Sequence, residues 1–119
     1  TAPPPAVIGA ALGAMDVLKS SPNLGNILQA NADYFRSLLH DAGLDTLQSQ
    51  SQIIPIVIGE NEKAVAASLR LREAGIIAAA IRPPTVPAGS ARLRISITLA
   101  HHVDDLERAA RQIIQAIKR

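Results

Sequence analysis

The clearest pattern in the chain is RLRISITL, residues 92–99, where apolar and polar positions alternate without interruption. A period of two is typical of a β-strand with one buried face and one exposed face. The positions that would face a core are Leu93, Ile95, Ile97 and Leu99. The positions that would face away from it are Arg92, Arg94, Ser96 and Thr98. The alternation therefore predicts a sheet whose outer face is polar and free to meet a ligand or another domain.

Two shorter apolar runs predict further strands. IIPIVIG, residues 53–59, contains Pro55, which has no N–H to donate and therefore favours an edge strand or a bulge. IIAAAI, residues 76–81, ends roughly ten residues before the alternating strand, too few for a helical crossover. The second and third strands should therefore pair antiparallel.

Helical periodicity flanks these strands. NEKAVAASLRLREAG, residues 61–75, is predicted to be a helix with Gly75 as its stop. The last helix should run from about residue 103 to the chain end, with Asp104 and Asp105 in its first turn, where the helix dipole favours acids. Its apolar stripe comprises Leu106, Ala109, Ala110, Ile113, Ile114 and Ile117.

The first part of the chain predicts two helices. PAVIGAALGAM, residues 5–15, follows a proline-rich start and is apolar on every side, which predicts burial between layers or under something outside the chain. SSPNLGN breaks this helix, with Ser20, Ser21 or Asn23 available as a cap for the next one. The second helix should end near Gly43. The order of elements predicts an α+β fold: two N-terminal helices, then a small antiparallel-containing sheet with helices packed on one face.

Composition narrows the classes of partner. Apolar residues make up 48% of the 119 residues, aromatic residues only 2%, and the net charge is +2 without basic runs. Such a chain is a poor platform for stacking bases, so we expect no nucleic-acid partner. The 11-residue apolar run is too short to cross a bilayer, so we also expect no membrane partner. Without cysteine there is no disulfide, thiol nucleophile or cysteine metal site.

The stretch IRPPTVPAGSARLRIS, residues 81–96, is the strongest candidate for chemistry. Each of its prolines fixes its own φ and restricts the residue before it, so RPPTVP is largely ordered before any ligand binds. Arginine binds carboxylate or phosphate through a planar fork, and Thr85 adds a hydroxyl. For Arg82 and Arg92, surface or interdomain salt bridges beside a stiffened turn are an equally good interpretation. The carboxylate interpretation is stronger for Arg94, which lies mid-strand opposite the apolar row.

Other candidate groups are weaker. The pair of histidines at 101 and 102, followed by acidic residues, fits a helix start better than a metal site, because adjacent side chains diverge and no second cluster completes a coordination shell. The lysines, Lys19, Lys63 and Lys118, all fall on predicted exposed positions, so none is expected to act as a Schiff-base amine. We therefore assign no metal ligand and no catalytic residue.

The segment AIRPPTVPAGSARLRISITLAHHVDDLERA strongly resembles the C-terminal part of the 8-amino-7-oxononanoate synthases, which belong to the α-oxoamine synthases. TAPPPAV resembles the point where that family's chain leaves its large domain, and SQSQIIPIVIGENEKAV resembles the first strand and helix of its small domain. Aminolevulinate synthases, serine palmitoyltransferases and 2-amino-3-ketobutyrate CoA ligases resemble the loop less well.

The resemblance implies a pyridoxal-phosphate (PLP) enzyme with the aspartate aminotransferase-type fold, cytoplasmic and homodimeric. It would join L-alanine to pimeloyl-CoA or its carrier-protein equivalent, with loss of CO2, in biotin biosynthesis. Arg94 would bind the amino-acid carboxylate, Thr85 would line the substrate site, and Thr1 would reach the cofactor phosphate of the neighbouring subunit. The resemblance assigns no role to Arg82 or Arg92.

The resemblance also implies that the PLP lysine lies before Thr1, in a large domain. Residues 1–45 would then link to that domain, residues 46–119 would form the small domain, and the chain alone would be inactive. The abrupt start without an initiator Met suggested the same, namely a truncated or excised piece. The alternative function is a stand-alone, non-catalytic module that binds a small carboxylate through Arg82, Thr85 and Arg94.

Overall fold

The computed structural model describes residues 1–118 and confirms the α+β fold with two leading helices. Its helices are α1 (Pro5–Ser20), α2 (Leu24–Asp41), α3 (Asn61–Glu73) and α4 (Val103–Lys118). Its strands are β1 (Ile53–Gly59), β2 (Ala79–Ile81) and β3 (Ala91–Ser96). They form one sheet in the order β1-β3-β2, with both pairings antiparallel. Pro55 therefore lies in an edge strand, as its missing N–H predicts.

Helices α2, α3 and α4 cover one face of the sheet. Helix α3 contacts all three strands and α4, while α2 contacts α4 and β1. The core between these layers is aliphatic around a single aromatic ring, and its largest fully buried apolar side chains are Phe35, Leu39, Ile54, Ile56, Leu71, Leu93 and Ile113. Leu93, Ile95 and Ile97, which the alternation assigned to the core, are buried. The same assignment was wrong for Leu99, which is 41% exposed because it lies beyond the end of β3 at Ser96.

Two glycines end helices in the predicted way. Gly75 has a φ of 77°, its N–H donates to the carbonyl of Arg72, and the N–H of Ile76 donates to that of Leu71. Gly43, with a φ of 78°, ends α2 through the same pair of bonds. This arrangement satisfies carbonyls that would otherwise have no partner, and it needs a left-handed residue that glycine supplies without strain.

Strands β2 and β3 are shorter than their apolar patterns predict. The strand expected at residues 76–81 begins only at Ala79, because the N–H of Ile76 is held by the α3 cap. The strand expected at residues 92–99 ends at Ser96, because the N–H of Thr98 donates to Nδ1 of His101 at 3.0 Å. In both places a local hydrogen bond replaces strand pairing.

The start of α2 also differs from expectation. Asn23 precedes α2 in a helical conformation and makes no capping side-chain bond, and the hydroxyl of Ser20 donates to the carbonyl of Val17 within α1. None of the proposed caps therefore acts through its side chain at this helix start.

Helix α1 has no buried residue within the described part of the chain, so the predicted burial between layers does not occur here. Its prolines do start the helix as expected, with Pro5 as the first helical residue. The large apolar side chains that remain exposed along it are Val7, Ile8, Leu12, Met15, Val17 and Leu18. No described helix is both long and apolar enough to span a membrane.

Candidate functional site

The outer sheet face, which we define as the face turned away from α2, α3 and α4, is organised in cross-strand rows. Arg94 pairs with Pro55 on β1 and with Ala79 on β2. Arg92 pairs with Val57 and Ile81 in the next row. Directly paired residues of an antiparallel sheet place their side chains on the same face, so each arginine lies between two apolar neighbours.

The Arg94 side chain is exposed, and its neighbours are small or rigid. Among residues 1–118 it has no carboxylate within ion-pair distance and no hydrogen-bond partner. A guanidinium whose donors are all free can bind a carboxylate or phosphate bidentately. The geometry thus makes Arg94 available to an anion that approaches the outer sheet face.

The proline loop, residues 82–90, joins β2 to β3 and contains two turns. The first has a cis peptide bond between Pro83 and Pro84 and is closed by the N–H of Thr85, which donates to the carbonyl of Arg82 at 3.1 Å. In the second, the N–H of Ser90 donates to the carbonyl of Pro87 at 3.1 Å, and Gly89 has a φ of 76°. Thr85 is exposed between these two turns.

The three sequence-predicted site residues are not equally close in the fold. Thr85 and Arg94 belong to the loop and strand of one continuous β2–β3 unit. Thr1 is exposed ahead of α1, and no described hydrogen bond joins it to Thr85 or Arg94. Thr85 and Arg94 thus share one β2–β3 unit and Thr1 lies outside it, but no described hydrogen bond joins any two of the three, and their common site stays a prediction.

The two remaining arginines differ from each other. Arg82 is exposed and has no ion-pair partner among the described residues. Arg92 is half-buried, and its guanidinium donates twice to Ser90. Sequence reasoning did not single out Ser90; the available signal was a hydroxyl directly after the Gly89 turn.

A cavity of about 380 Å³ at the far end of β3 is a weaker candidate. Its polar lining includes His101, Asp105 and Arg108. The His101 ring accepts from Thr98, and the Asp105 carboxylate accepts from the N–H of His102 at the start of α4. Those groups serve the turn and the helix start, and no cluster suited to a metal ion is present in residues 1–118.

The chain matches the family described as aminotransferase class I and II over residues 1–113. It belongs to that family. A curated protein of Bacillus cereus (strain B4264), provisionally named 8-amino-7-oxononanoate synthase, is 47% identical over 99% of this chain. The chain spans only 30% of that relative's length.

Solved structures of the family share the fold. The 8-amino-7-oxononanoate synthase of Francisella tularensis is similar at a TM-score of 0.82 and 28% identity, covering 99% of this chain and 34% of its own. A structure of serine palmitoyltransferase with PLP has a TM-score of 0.68 and 25% identity, covering 73% of this chain and 22% of its own. The serine palmitoyltransferase structure contains PLP as an internal aldimine.

PLP is a cofactor found in this family, and the described residues can be tested against it. A lysine that holds PLP must be desolvated or otherwise activated. All three lysines are exposed, and Lys63 is paired with Glu60 at 2.8 Å. Within residues 1–118 none of these lysines has the desolvated environment that a covalent anchor requires, whereas the exposed guanidinium of Arg94 can bind an anionic group.

Proposed function

We propose that the chain is the C-terminal portion of a PLP-dependent acyltransferase that condenses L-alanine with pimeloyl-CoA or a pimeloyl carrier protein. The products would be 8-amino-7-oxononanoate, CO2 and the free thiol, in biotin biosynthesis. The 47% identity over nearly the whole chain supports this specific branch of the family. The loop RPPTVPAG and the strand ARLR, which carry the resemblance, supply both proposed substrate-binding residues.

The observation that carries the proposal is the free guanidinium of Arg94 on the outer sheet face. We assign it to the carboxylate of alanine, because its row neighbours Pro55 and Ala79 offer no competing charge. An arginine fork holds a carboxylate in one orientation, whereas a single ammonium would not. Arg94 would therefore both bind and orient the amino acid.

The proline loop would form a wall of the same site. Its two turns give Thr85 a defined position without any contribution from a ligand, and this lowers the entropy lost on binding. The Thr85 hydroxyl can donate or accept a hydrogen bond at the substrate. PLP, held by the upstream part of the protein, would supply the electron sink for the carbon–carbon bond and the loss of CO2.

The rest of the chain would connect this site to the whole enzyme. Residues 1–45 would link to a large domain that carries the PLP lysine, and residues 46–119 would form the small domain. The exposed apolar side of α1 would then pack against that large domain. Thr1 would reach the cofactor phosphate of the neighbouring subunit in a cytoplasmic homodimer. Without the large domain this chain would be inactive.

The decisive experiment is an assay of the complete protein, expressed from a gene that extends upstream of Thr1. We expect visible absorbance from bound PLP, and release of CO2 and thiol that requires both L-alanine and a pimeloyl thioester. Parallel reactions with glycine or serine, and with CoA or carrier-protein thioesters, would define the substrate pair. A protein without PLP absorbance and without thioester-dependent consumption of alanine would contradict the proposal and favour the non-catalytic carboxylate-binding module.

A further inference from the structure

Arg92 is the one outer-face arginine of β3 that is already engaged. It lies two residues before Arg94 on the same face, and it is half-buried between Val57 and Ile81. Its Nε donates to the carbonyl of Ser90 at 3.0 Å, and its Nη2 donates to the hydroxyl of Ser90 at 3.1 Å. One guanidinium therefore binds both the backbone and the side chain of a single residue, which uses the fork that distinguishes arginine from lysine.

Ser90 is in turn hydrogen-bonded to Pro87 within the proline loop. Its hydroxyl donates to the carbonyl of Pro87 at 2.6 Å, and its N–H donates to the same carbonyl at 3.1 Å. Two hydrogen bonds from Ser90 to Pro87 thus close the second turn of the loop, and Ser90 is itself bound by Arg92. We call the three-residue set Arg92, Ser90 and Pro87 the loop latch.

The position of the proline loop is also restricted by the end of β1. Gly59 pairs with Ala91 across the sheet, and a Cβ at position 59 would lie 3.5 Å from the carbonyl oxygen of Gly89. The turn therefore packs closely against the end of β1. Since its prolines donate no backbone hydrogen bonds, the proline loop has few other tethers, and the loop latch is the main polar one.

We propose that Arg92 is a positioning residue, which through Ser90 fixes the loop that carries Thr85 relative to the strand that carries Arg94. This inference rests on the proposed function, since it takes Thr85 and Arg94 as parts of one substrate site. Arg92 does not touch the substrate in this arrangement. Arg94 would bind the carboxylate from a paired strand. Thr85 lies in the first turn of the loop, which is closed by its own N–H bond to Arg82, and the latch would fix the second turn, which connects that first turn to β3.

The test uses the complete protein and the variants Arg92→Ala, Arg92→Lys, Ser90→Ala and Ser90→Thr. Ser37→Ala is the matched control, because the Ser37 hydroxyl also donates to a carbonyl three residues earlier, that of Tyr34, but in α2. We expect Arg92→Ala and Ser90→Ala to lower kcat by about 10- to 100-fold, the cost of a small misplacement at a reacting centre. The KM for alanine should stay within about twofold, since Arg94 is untouched. Ser90→Thr should retain activity because it keeps the hydroxyl. Arg92→Lys should have a kcat below that of the wild type, because an ammonium group cannot make both bonds to Ser90.

Two further readouts separate positioning from general stability. Amide hydrogen exchange at Ser90 should accelerate by about tenfold or more in Arg92→Ala and remain unchanged in Ser37→Ala. The effect of Thr85→Ala should nearly vanish in the Arg92→Ala background, because residues that act as one unit are not additive. A merely structural role would lower the melting temperature while leaving kcat per folded site and the Thr85 effect intact.

Distinct outcomes overturn distinct claims. If Arg92→Ala raises the KM for alanine with unchanged exchange at Ser90, then Arg92 binds the substrate and the positioning role is wrong. If kcat and exchange are both unchanged, the latch has no role. If the wild-type complete protein lacks the condensation activity, the proposed function fails, and the exchange measurement still decides whether Arg92 fixes the loop.

Discussion

Pro55 lies directly across from Arg94 in the antiparallel ladder of β1 and β3. A proline is tolerated there because β1 is an edge strand. Its ring is short and carries no charge, so it leaves the guanidinium of Arg94 uncovered on this side. On the β2 side, the small side chain of Ala79 likewise leaves the guanidinium of Arg94 uncovered. The exposure of Arg94 is therefore a property of its row in the sheet as well as of its own side chain.

The first prediction concerns Arg94 in the complete protein. Arg94→Ala should raise the KM for alanine by about 10- to 150-fold, the range expected for losing a hydrogen-bonded charge contact. The KM of Arg94→Lys should lie between those of Arg94→Ala and the wild type, because an ammonium group keeps the charge but loses the planar fork of the guanidinium. Steady-state kinetics at saturating thioester would measure both.

The matched control for Arg94 is Arg111→Ala, an exposed arginine on α4, which should leave the KM unchanged. The thermal midpoint should also be unchanged in every Arg94 variant, since the side chain is exposed and has no described partner. An Arg94→Ala enzyme with wild-type KM and kcat for alanine would remove Arg94 from the substrate site.

Much of the fold could be predicted because it follows periodic patterns. The alternation in β3 identified the buried and exposed faces, and Gly43 and Gly75 marked the ends of two helices. The strand ends could not be predicted, because they depend on the N–H of Ile76 and the N–H of Thr98 finding local acceptors. Apolar runs extend past both points and give no sign of these bonds.

Some features of the candidate site could also be predicted from the sequence, and others could not. Strand alternation is enough to place Arg94 on an exposed face. The roles of Thr85 and Thr1 depend on the family resemblance and stay predictions. The engagement of Arg92 with Ser90 could not be predicted, because it depends on how the loop folds back on the strand. Likewise, Arg36 is buried in the stripe of Ala32 and Leu39, a position where periodicity predicts an apolar residue.

A second prediction concerns pH and the bond between Tyr34 on α2 and Glu107 on α4. The Tyr34 hydroxyl donates to Oε1 of Glu107 at 2.7 Å, and this bond is the main cause that raises the pKa of Tyr34 above its ordinary value of 10.0. Since the folded protein holds the phenol proton more tightly, the stabilising contribution is present below the unfolded pKa. It is lost as pH rises through the folded pKa.

Glu107→Gln should therefore lower the pKa of Tyr34 toward 10.0, because the charged acceptor is removed while the shape is kept. The measurement is a phenolate absorbance titration, taken as the difference between each protein and its Tyr34→Phe counterpart so that only this tyrosine contributes. Equal titration midpoints with glutamate and glutamine at position 107 would show that the bond between α2 and α4 does not form in solution.

The last prediction concerns Arg36, a cation that is only 7% exposed. Its Nη1 donates to the carbonyl of Ser51 at 2.5 Å, and its Nη2 is paired with Asp33, whose side chain is 63% exposed. The bond to Ser51 ties α2 to the segment that leads into β1, so Arg36 helps to place the edge strand that carries Pro55. Its Nη1 also donates to the Ser49 hydroxyl at 3.5 Å. The contacts should differ in energetic weight, because the bond to Ser51 joins two segments of the chain, whereas the contact with Asp33 is an ion pair within α2 to a mostly exposed carboxylate.

Arg36→Ala should lower the free energy of unfolding by about 1–3 kcal/mol, since it leaves the Ser51 carbonyl without its donor and removes the packed stem. Asp33→Asn should cost less than about 1 kcal/mol, as is usual for an exposed ion pair. Arg36→Met keeps the apolar stem but not the donor, so its loss in the free energy of unfolding should lie between those of Arg36→Ala and Asp33→Asn. Denaturant midpoints at constant slope would rank the three variants. An Asp33→Asn loss as large as that of Arg36→Ala would mean that the ion pair within α2, rather than the bond to Ser51, accounts for the stability that Arg36 contributes.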